Sequence, residues 1–268
     1  MASGRELRLN RLINPVSQKA LLVPLDHGAT VGPIEGISKI RRTIAGIGSS
    51  GANIQGIIVH RGVAHNSRSP VWDVPAPLIL HLSASTSLAR DSTHKVLVAQ
   101  VEDALVMGAD AVSIHVNLGS LAEVGMLRDM GSVASQCERW GVPLLAMVYT
   151  HGESASASST ARIAHAARLA AELGADLVKV NYPGSPEAMA EVVEGCFVPV
   201  LVAGGERATT EAQVLSVVDG ALQGGASGLC MGRNIFQHAD PGAFLARLSR
   251  HVHGFDAHRQ AVSLAAVR

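Results

Sequence analysis

Charge of one sign, cysteine, lysine and long hydrophobic runs are all scarce in this 268-residue chain, and each scarcity excludes a class of function. Lys plus Arg and Asp plus Glu both number 22, so the formal net charge is zero and no overall field draws the chain to nucleic acid or an anionic membrane. Any anion it binds must be held locally. No apolar run approaches the ~18 residues of a membrane span. The N-terminus, with Arg5, Glu6, Arg8 and Arg11, lacks the apolar stretch of a secretory signal. The three cysteines, Cys137, Cys196 and Cys230, are odd in number, far apart and outside any CxxC spacing, which argues against a disulfide framework and a zinc knuckle. These absences describe a soluble protein of the reducing cytoplasm with no nucleic-acid or membrane partner. Disorder is excluded as well, because 47% of residues are hydrophobic and only 16% charged, enough apolar side chain for a large core.

What is present is a cadence. Gly51-Ala52-Asn53 precedes Ile57-Ile58-Val59, Gly108-Ala109-Asp110 precedes Val112-Ser113-Ile114, Gly174-Ala175-Asp176 precedes Leu177 to Val180, and Gly225-Ala226-Ser227 precedes Leu229-Cys230-Met231. Each reads as a helix stop feeding a strand. Apolar runs at Ala20 to Leu25, Pro77 to Leu82, Pro143 to Val148 and Pro199 to Ala203 raise the count to eight strand candidates. Between them, Lys95 to Met107, Ser159 to Leu173 and Thr210 to Gln223 carry apolar residues at helical period. Strands apolar along most of their length, alternating with helices, predict a parallel α/β fold, and at this length a single (β/α)₈ TIM barrel over residues 1–268. Residues 1–19 form a lead-in and 254–268 a tail. An open doubly wound sheet is the alternative, but no strand is followed by the G-x-G-x-x-G turn of its dinucleotide-binding version. Glu153 to Ser159, rich in Ser and Ala, reads as a loop within the one domain.

In such a barrel, chemistry gathers where strands end. The strand-end residues are Asp26 and His27, His60, His81, His115 and Asn117, Tyr149, Lys179 and Asn181, Gly204 and Gly205, and Gly232 and Arg233. Lys179 is the most informative. It interrupts an apolar strand in a chain with only four lysines, Lys19, Lys39, Lys95 and Lys179. Burial lowers a lysine's pKa toward a neutral amine, and a neutral amine attacks carbonyls. A buried ion pair is the other reading, although Arg would serve it better. Tyr149, one of only two tyrosines, ends the strand before that of Lys179, where its phenol could move a proton, or merely plug the rim. Asp26 could assist dehydration of a carbinolamine, or cap a helix. The pairs Gly204-Gly205 and Gly232-Arg233, after the last two strands, suit phosphate held by backbone amides and a guanidinium, or tight turns alone. His60, His81 and His115 could converge on a zinc ion in a metal-dependent lyase, but no H-x-H or H-E-x-x-H spacing supports a metal site.

These residues carry a family resemblance. The motifs PLDHG from Pro24 with Gly32-Pro33-Ile34, GADAVSIHVNLGS from Gly108, AHAARLAAELGADLVKVNYPG from Ala164, VAGG from Val202 and GRNIFQHAD from Gly232 resemble the archaeal-type class I aldolases over nearly the whole chain. The likeness is strongest to their 2-amino-3,7-dideoxy-D-threo-hept-6-ulosonate synthase branch and to related enzymes of aminohydroxybenzoate biosynthesis. The resemblance implies Lys179 as the Schiff-base lysine, Tyr149 as acid/base and Asp26 as its strand-one partner, with no metal and no cofactor. It further implies His27, His115, Asn181 and the Gly204-Gly205 and Gly232-Arg233 turns as substrate-binding. The implied substrates are a sugar phosphate, dihydroxyacetone phosphate or 6-deoxy-5-ketofructose 1-phosphate, and the aldehyde L-aspartate 4-semialdehyde. A homo-oligomer, in rings of five or paired rings of ten, is implied too. Met147, where fructose-bisphosphate members carry Trp, moves the reading away from fructose-bisphosphate aldolase. Thr150-His151, where the synthases carry Pro-Arg, suggests a changed substrate and favours aldol condensation with dihydroxyacetone phosphate. A non-catalytic sugar-phosphate-binding barrel would leave a buried Lys179 unexplained.

Overall fold

The structure, a computed structural model, describes residues 3–65, 70–152 and 159–265. Eight parallel strands close on themselves: β1 (Ala20–Pro24), β2 (Gly56–His60), β3 (Leu78–His81), β4 (Ala111–Leu118), β5 (Leu144–Thr150), β6 (Leu177–Val180), β7 (Val200–Ala203) and β8 (Gly228–Cys230). Neighbours in the ring are neighbours in sequence, and β8 returns to β1 with Leu22 beside Cys230. Helices packed outside include Ile40–Gly48, Val101–Val106, Glu123–Trp140, Ser159–Glu172, Pro186–Glu194, Glu211–Gln223 and Pro241–Ala265. This is the (β/α)₈ barrel expected from the cadence. Among the described residues no helix is long and apolar enough to cross a membrane.

The cadence has a physical basis. Its glycines, Gly51, Gly108, Gly174 and Gly225, have φ of 68°, 72°, 101° and 88°, the left-handed conformation that ends a helix without cost to a residue lacking Cβ. In two of the four, Asp110 and Asp176 then tie strand to strand at the barrel floor. Asp110 accepts from Leu78 N at 3.3 Å, and Asp176 from Leu144 N at 2.8 Å. Each also holds an arginine of the lead-in, Arg11 to Asp110 at 2.6 Å and Arg5 to Asp176 at 2.7 Å.

Two apolar layers result from alternation along the strands. Inward-facing Leu22, Ile58, Ile79, Leu145, Leu177 and Leu201 fill the barrel, and Leu12 of the lead-in, fully buried, packs into the same cluster and closes its floor. The outward residues, such as Val23, Val59, Leu80, Val178 and Val202, meet the helices.

Three expectations are adjusted. Lys95 to Met107 is not one helix: Val96–Leu97 pairs antiparallel with Ser83–Ala84, and the helix is confined to Val101–Val106. The β-branched Val96 opens that short strand and Val98 follows it, and Gln100 starts the helix only afterwards by donating its amide to Asp103 at 2.9 Å. Thr210 lies outside its helix as the N-cap, its hydroxyl accepting from Gln213 N. The Ser/Ala-rich stretch lies outside the described residues except for Ser159, which opens a helix.

Candidate active site

Alternation places the polar strand-end residues at the barrel mouth. On β6, Leu177 lies in the inner core while Val178 packs outward, so Lys179 shares the inner face with Leu177; on β5 the inner residues are Leu145, Met147 and Tyr149. Met147 is in register with Lys179. The lysine is 6% exposed, its Nζ 3.8 Å from Met147 Sδ and 6.0 Å from the centroid of the Tyr149 ring. Cys230, inward on β8, is also coupled to the amine and is fully buried.

Asp26 sits at the N-cap of the short helix His27–Val31, but its side chain makes no capping hydrogen bond. Its carboxylate faces His27 Nδ1 at 3.8 Å and His81 Nε2 at 3.8 Å. Asp26 Oδ1 and His27 Nδ1 are buried without a hydrogen-bond partner among the described residues. Orphaned polar atoms of this kind mark a place where a ligand completes the bonding. His81 is fixed from behind by Ser113, Nδ1 to Oγ 2.8 Å, and its ring meets that of His60 at 5.1 Å. Beside these groups a cavity of about 380 Å³ opens between the ends of β1 and β2, lined by Asp26, Gly28, His60 and Val63 among others.

On the far side of Lys179, the His115 ring packs on Tyr149 with centroids 4.8 Å apart. Asn117 is the hub there. Its Oδ1 accepts from Nε2 of both His115 and His151, each at 2.8 Å, and its Nδ2 donates to Thr93 O at 2.6 Å. Two bonds to one carbonyl oxygen make both Nε2 atoms donors. Thus His151, the residue that departs from the family pattern, is spent on holding His115 against the tyrosine.

The turns after β7 and β8 are joined by Asn234, 6% exposed. It accepts from Ala208 N at 2.8 Å and donates to Gly204 O at 2.7 Å and to Glu206 O at 3.1 Å. Gly232 is required by proximity, since a Cβ there would lie 2.6 Å from Pro24 O and 2.7 Å from His27 Cε1. The amides of Gly205 and Gly232 have no acceptor among the described residues, and Arg233 is half-buried beside them. Asn181, directly after β6, is exposed and makes no hydrogen bond within the described protein.

The electrostatics correct one expectation. Burial disfavours the Lys179 ammonium, but Cys230, Tyr149 and Asp26 around it act in the opposite sense and prevail, so its pKa is raised and it rests charged. A lysine beside an ionised carboxylate and two polarisable acidic groups does not follow the rule for one buried in hydrocarbon. Burial pushes the Asp26 carboxyl up, yet His81, His27, Lys179 and His60 together hold it well below the usual carboxylate range. Burial pushes His81 down to about 3 and also lowers His27, His60 and His115, so these imidazoles are neutral. The Tyr149 phenol is raised by burial and keeps its proton, and the Cys230 thiol is pushed up to about 11. Among the described residues no three His, Cys, Asp or Glu are grouped to hold a metal ion.

The mouth therefore unites Lys179, Tyr149, Asp26, His27 and His115, with the two turns on one side and Asn181 outside the network. Two residues escaped the sequence reading. Asn234 stands inside a quoted motif without a role, and Lys95, 8% exposed, falls in a stretch of helical period although its rarity is the same signal that singles out Lys179.

Comparison with known proteins identifies the family and agrees with the fold. A model of the DeoC/LacD family aldolases matches residues 20–238. The 2-amino-4,5-dihydroxy-6-oxo-7-(phosphonooxy)heptanoate synthase of Streptomyces griseus is 46% identical over 93% of this chain and 90% of its own. A 2-amino-3,7-dideoxy-D-threo-hept-6-ulosonate synthase of Archaeoglobus fulgidus is 42% identical over 94% of this chain and 92% of its own. Among solved structures, a Schiff-base-forming fructose-1,6-bisphosphate aldolase superposes with a TM-score of 0.83 at 28% identity, over 93% of this chain and all of that one. With this barrel, this mouth and these relatives, the chain is an enzyme belonging to the DeoC/LacD family of aldolases.

Proposed function

We propose that this enzyme forms a Schiff base at Lys179 with dihydroxyacetone phosphate and condenses it with L-aspartate 4-semialdehyde. The observation that carries the reading is a lysine nearly sealed in the barrel wall between a protonated phenol and a carboxylate. The name of the Streptomyces griseus relative supports the substrates: a seven-carbon chain with hydroxyls on C4 and C5 and a ketone on C6 divides, at the C4–C5 bond, into the semialdehyde and the three-carbon ketone phosphate. The phosphate sits at Gly204, Gly205, Gly232 and Arg233, held by backbone amides and a guanidinium. Lys179 loses its proton and adds to the ketone; loss of water gives the iminium, with Asp26 anionic beside it. The iminium draws electrons from the adjacent carbon, whose proton passes to the phenolate that Tyr149 became on protonating the departing hydroxyl, leaving an enamine. That carbon attacks the aldehyde, Tyr149 protonates the new alkoxide, and water hydrolyses the imine. The water lost is regained, so the product is the sum of the two substrates. His27 donates a hydrogen bond to a substrate hydroxyl as a neutral imidazole, while His115, whose single N–H is spent on Asn117, accepts one through Nδ1.

Homo-oligomeric assembly and a cytoplasmic setting belong to the same proposal; exposed Leu121 and Val124, at the start of Glu123–Trp140, supply apolar surface for assembly. Borohydride reduction with dihydroxyacetone phosphate, followed by intact mass and peptide mapping, tests the reaction. An adduct on Lys179 is expected. No adduct with this donor, but one with 6-deoxy-5-ketofructose 1-phosphate, would replace the donor; none with either would remove the covalent step. Cleavage of fructose 1,6-bisphosphate at a rate comparable to the condensation would instead favour the bisphosphate aldolase.

A further inference from the structure

We propose that Lys95 is the anchor for a carboxylate on the aldehyde acceptor, a second anion site across the barrel mouth from the phosphate turns. This rests on the aldol reading above and names what its acceptor must carry. Lys95 follows β3, next to the short strand Val96–Leu97, and is 8% exposed. Its Nζ donates to Thr30 Oγ1 at 3.4 Å, and no carboxylate lies within 4.0 Å among the described residues. A buried ammonium without a close counterion is costly, unless a ligand brings the anion. Its pKa is lowered by burial, with Asp26 alone opposing. That carboxylate is already shared with His81, His27, His60 and Lys179. The other groups that feel Lys95, namely His27, His60, His81 and His115, are neutral imidazoles.

Topology makes this an acceptor site. In a ring of eight, β3 stands opposite β7. A donor with its phosphate at the β7 and β8 turns and its carbon on Lys179 of β6 turns its enamine toward the ends of β1 to β4. Lys95 and Thr30 edge that half of the mouth. An aldehyde approaching there with a carboxylate a few bonds away meets the one buried cation among the described residues not engaged by the donor, and the charge-assisted contact fixes its reactive end.

The test is Lys95→Met, with Lys95→Gln as a second variant and Lys95→Arg as the charge-conserving control. Steady-state kinetics are measured with dihydroxyacetone phosphate as donor and either L-aspartate 4-semialdehyde or propanal as acceptor. For Lys95→Met and Lys95→Gln, kcat/KM with the semialdehyde is expected to fall about 10- to 100-fold, mainly through KM, while propanal changes by less than about threefold. Lys95→Arg should keep most of the preference. An unchanged KM for the semialdehyde, an equal loss with both aldehydes, or a rise confined to the donor's KM would overturn the proposal. Circular dichroism and the borohydride-trapped donor adduct establish that each variant retains its barrel and its lysine chemistry. If the parent enzyme forms no adduct, the aldol reading itself fails; if it forms one and the two aldehydes respond alike, only the Lys95 assignment fails.

Discussion

Asn234→Ala separates positioning of the phosphate turns from the chemistry at Lys179. The Asn234 side chain makes three hydrogen bonds, to Ala208 N, Gly204 O and Glu206 O, in a buried position. At about 1 kcal/mol each, their loss destabilises the protein by about 3 kcal/mol, and the orphaned amide and carbonyls add to that. The turns after β7 and β8 are then no longer tied, so the amides of Gly205 and Gly232 lose their common orientation. KM for dihydroxyacetone phosphate should rise about tenfold, with a much smaller change in KM for the aldehyde. Asn234→Asp sharpens the comparison: it keeps the acceptor for Ala208 N but aims a carboxylate oxygen at two carbonyls, and should be at least as damaging. Urea denaturation gives the stability, and initial rates at varied donor and acceptor give the two constants. A variant with unaltered stability and an unaltered donor KM would refute the coupling of the two turns through this side chain.

Lys179→Met should abolish borohydride trapping and turnover while circular dichroism stays that of the parent, because the thioether fills the inner core beside Met147; substantial residual turnover would contradict an imine route. Since Lys179 rests charged and must be neutral to attack, kcat/KM for the donor should climb about tenfold per pH unit on the acid side, with Tyr149 still protonated throughout. A flat profile from about pH 6 to 9 would show that proton loss is not required. His81 links stability to acidity. Its pKa in the folded protein is about 3 against 6.5 for the free side chain, so the unfolded chain takes up a proton that the folded one refuses. Stability on its account is lost as pH falls from about 6.5 toward 3, by about 2 kcal/mol at pH 5. His81→Gln should flatten that part of the stability profile, and an unchanged slope would argue that the ring is not buried neutral.

The barrel was legible because its punctuation is chemical. A left-handed glycine, followed at two of its four places by an acid that must reach a neighbouring amide, leaves a fixed trace in the residues, and all eight strands followed from it and from their apolar runs. The inward side of Lys179 could be read from alternation within Leu177 to Val180. Lys95 was not legible, since its surroundings are set by pairing between Ser83–Ala84 and Val96–Leu97, segments too short to announce themselves against a neighbouring helical period. The protonation of Lys179 was misread for a related reason. Burial is visible in an apolar run, but the sign of the local field depends on Asp26, Tyr149 and Cys230, which come from three other strands or their ends and meet only in the closed ring. The work of His151 was equally hidden, because Asn117, the group it touches, lies 34 positions away.

The seal at the floor has a kinetic meaning. With Leu12 and the lead-in stoppering one end, the barrel is a vessel with a single opening, and whatever enters must leave the way it came. In the proposed reaction a ketone phosphate bound to Lys179 would lie deepest. The aldehyde that follows sits above it like a lid, so an aldehyde arriving first would bar the donor's way. On that reading binding is sequential, and an excess of acceptor should slow the enzyme rather than saturate it.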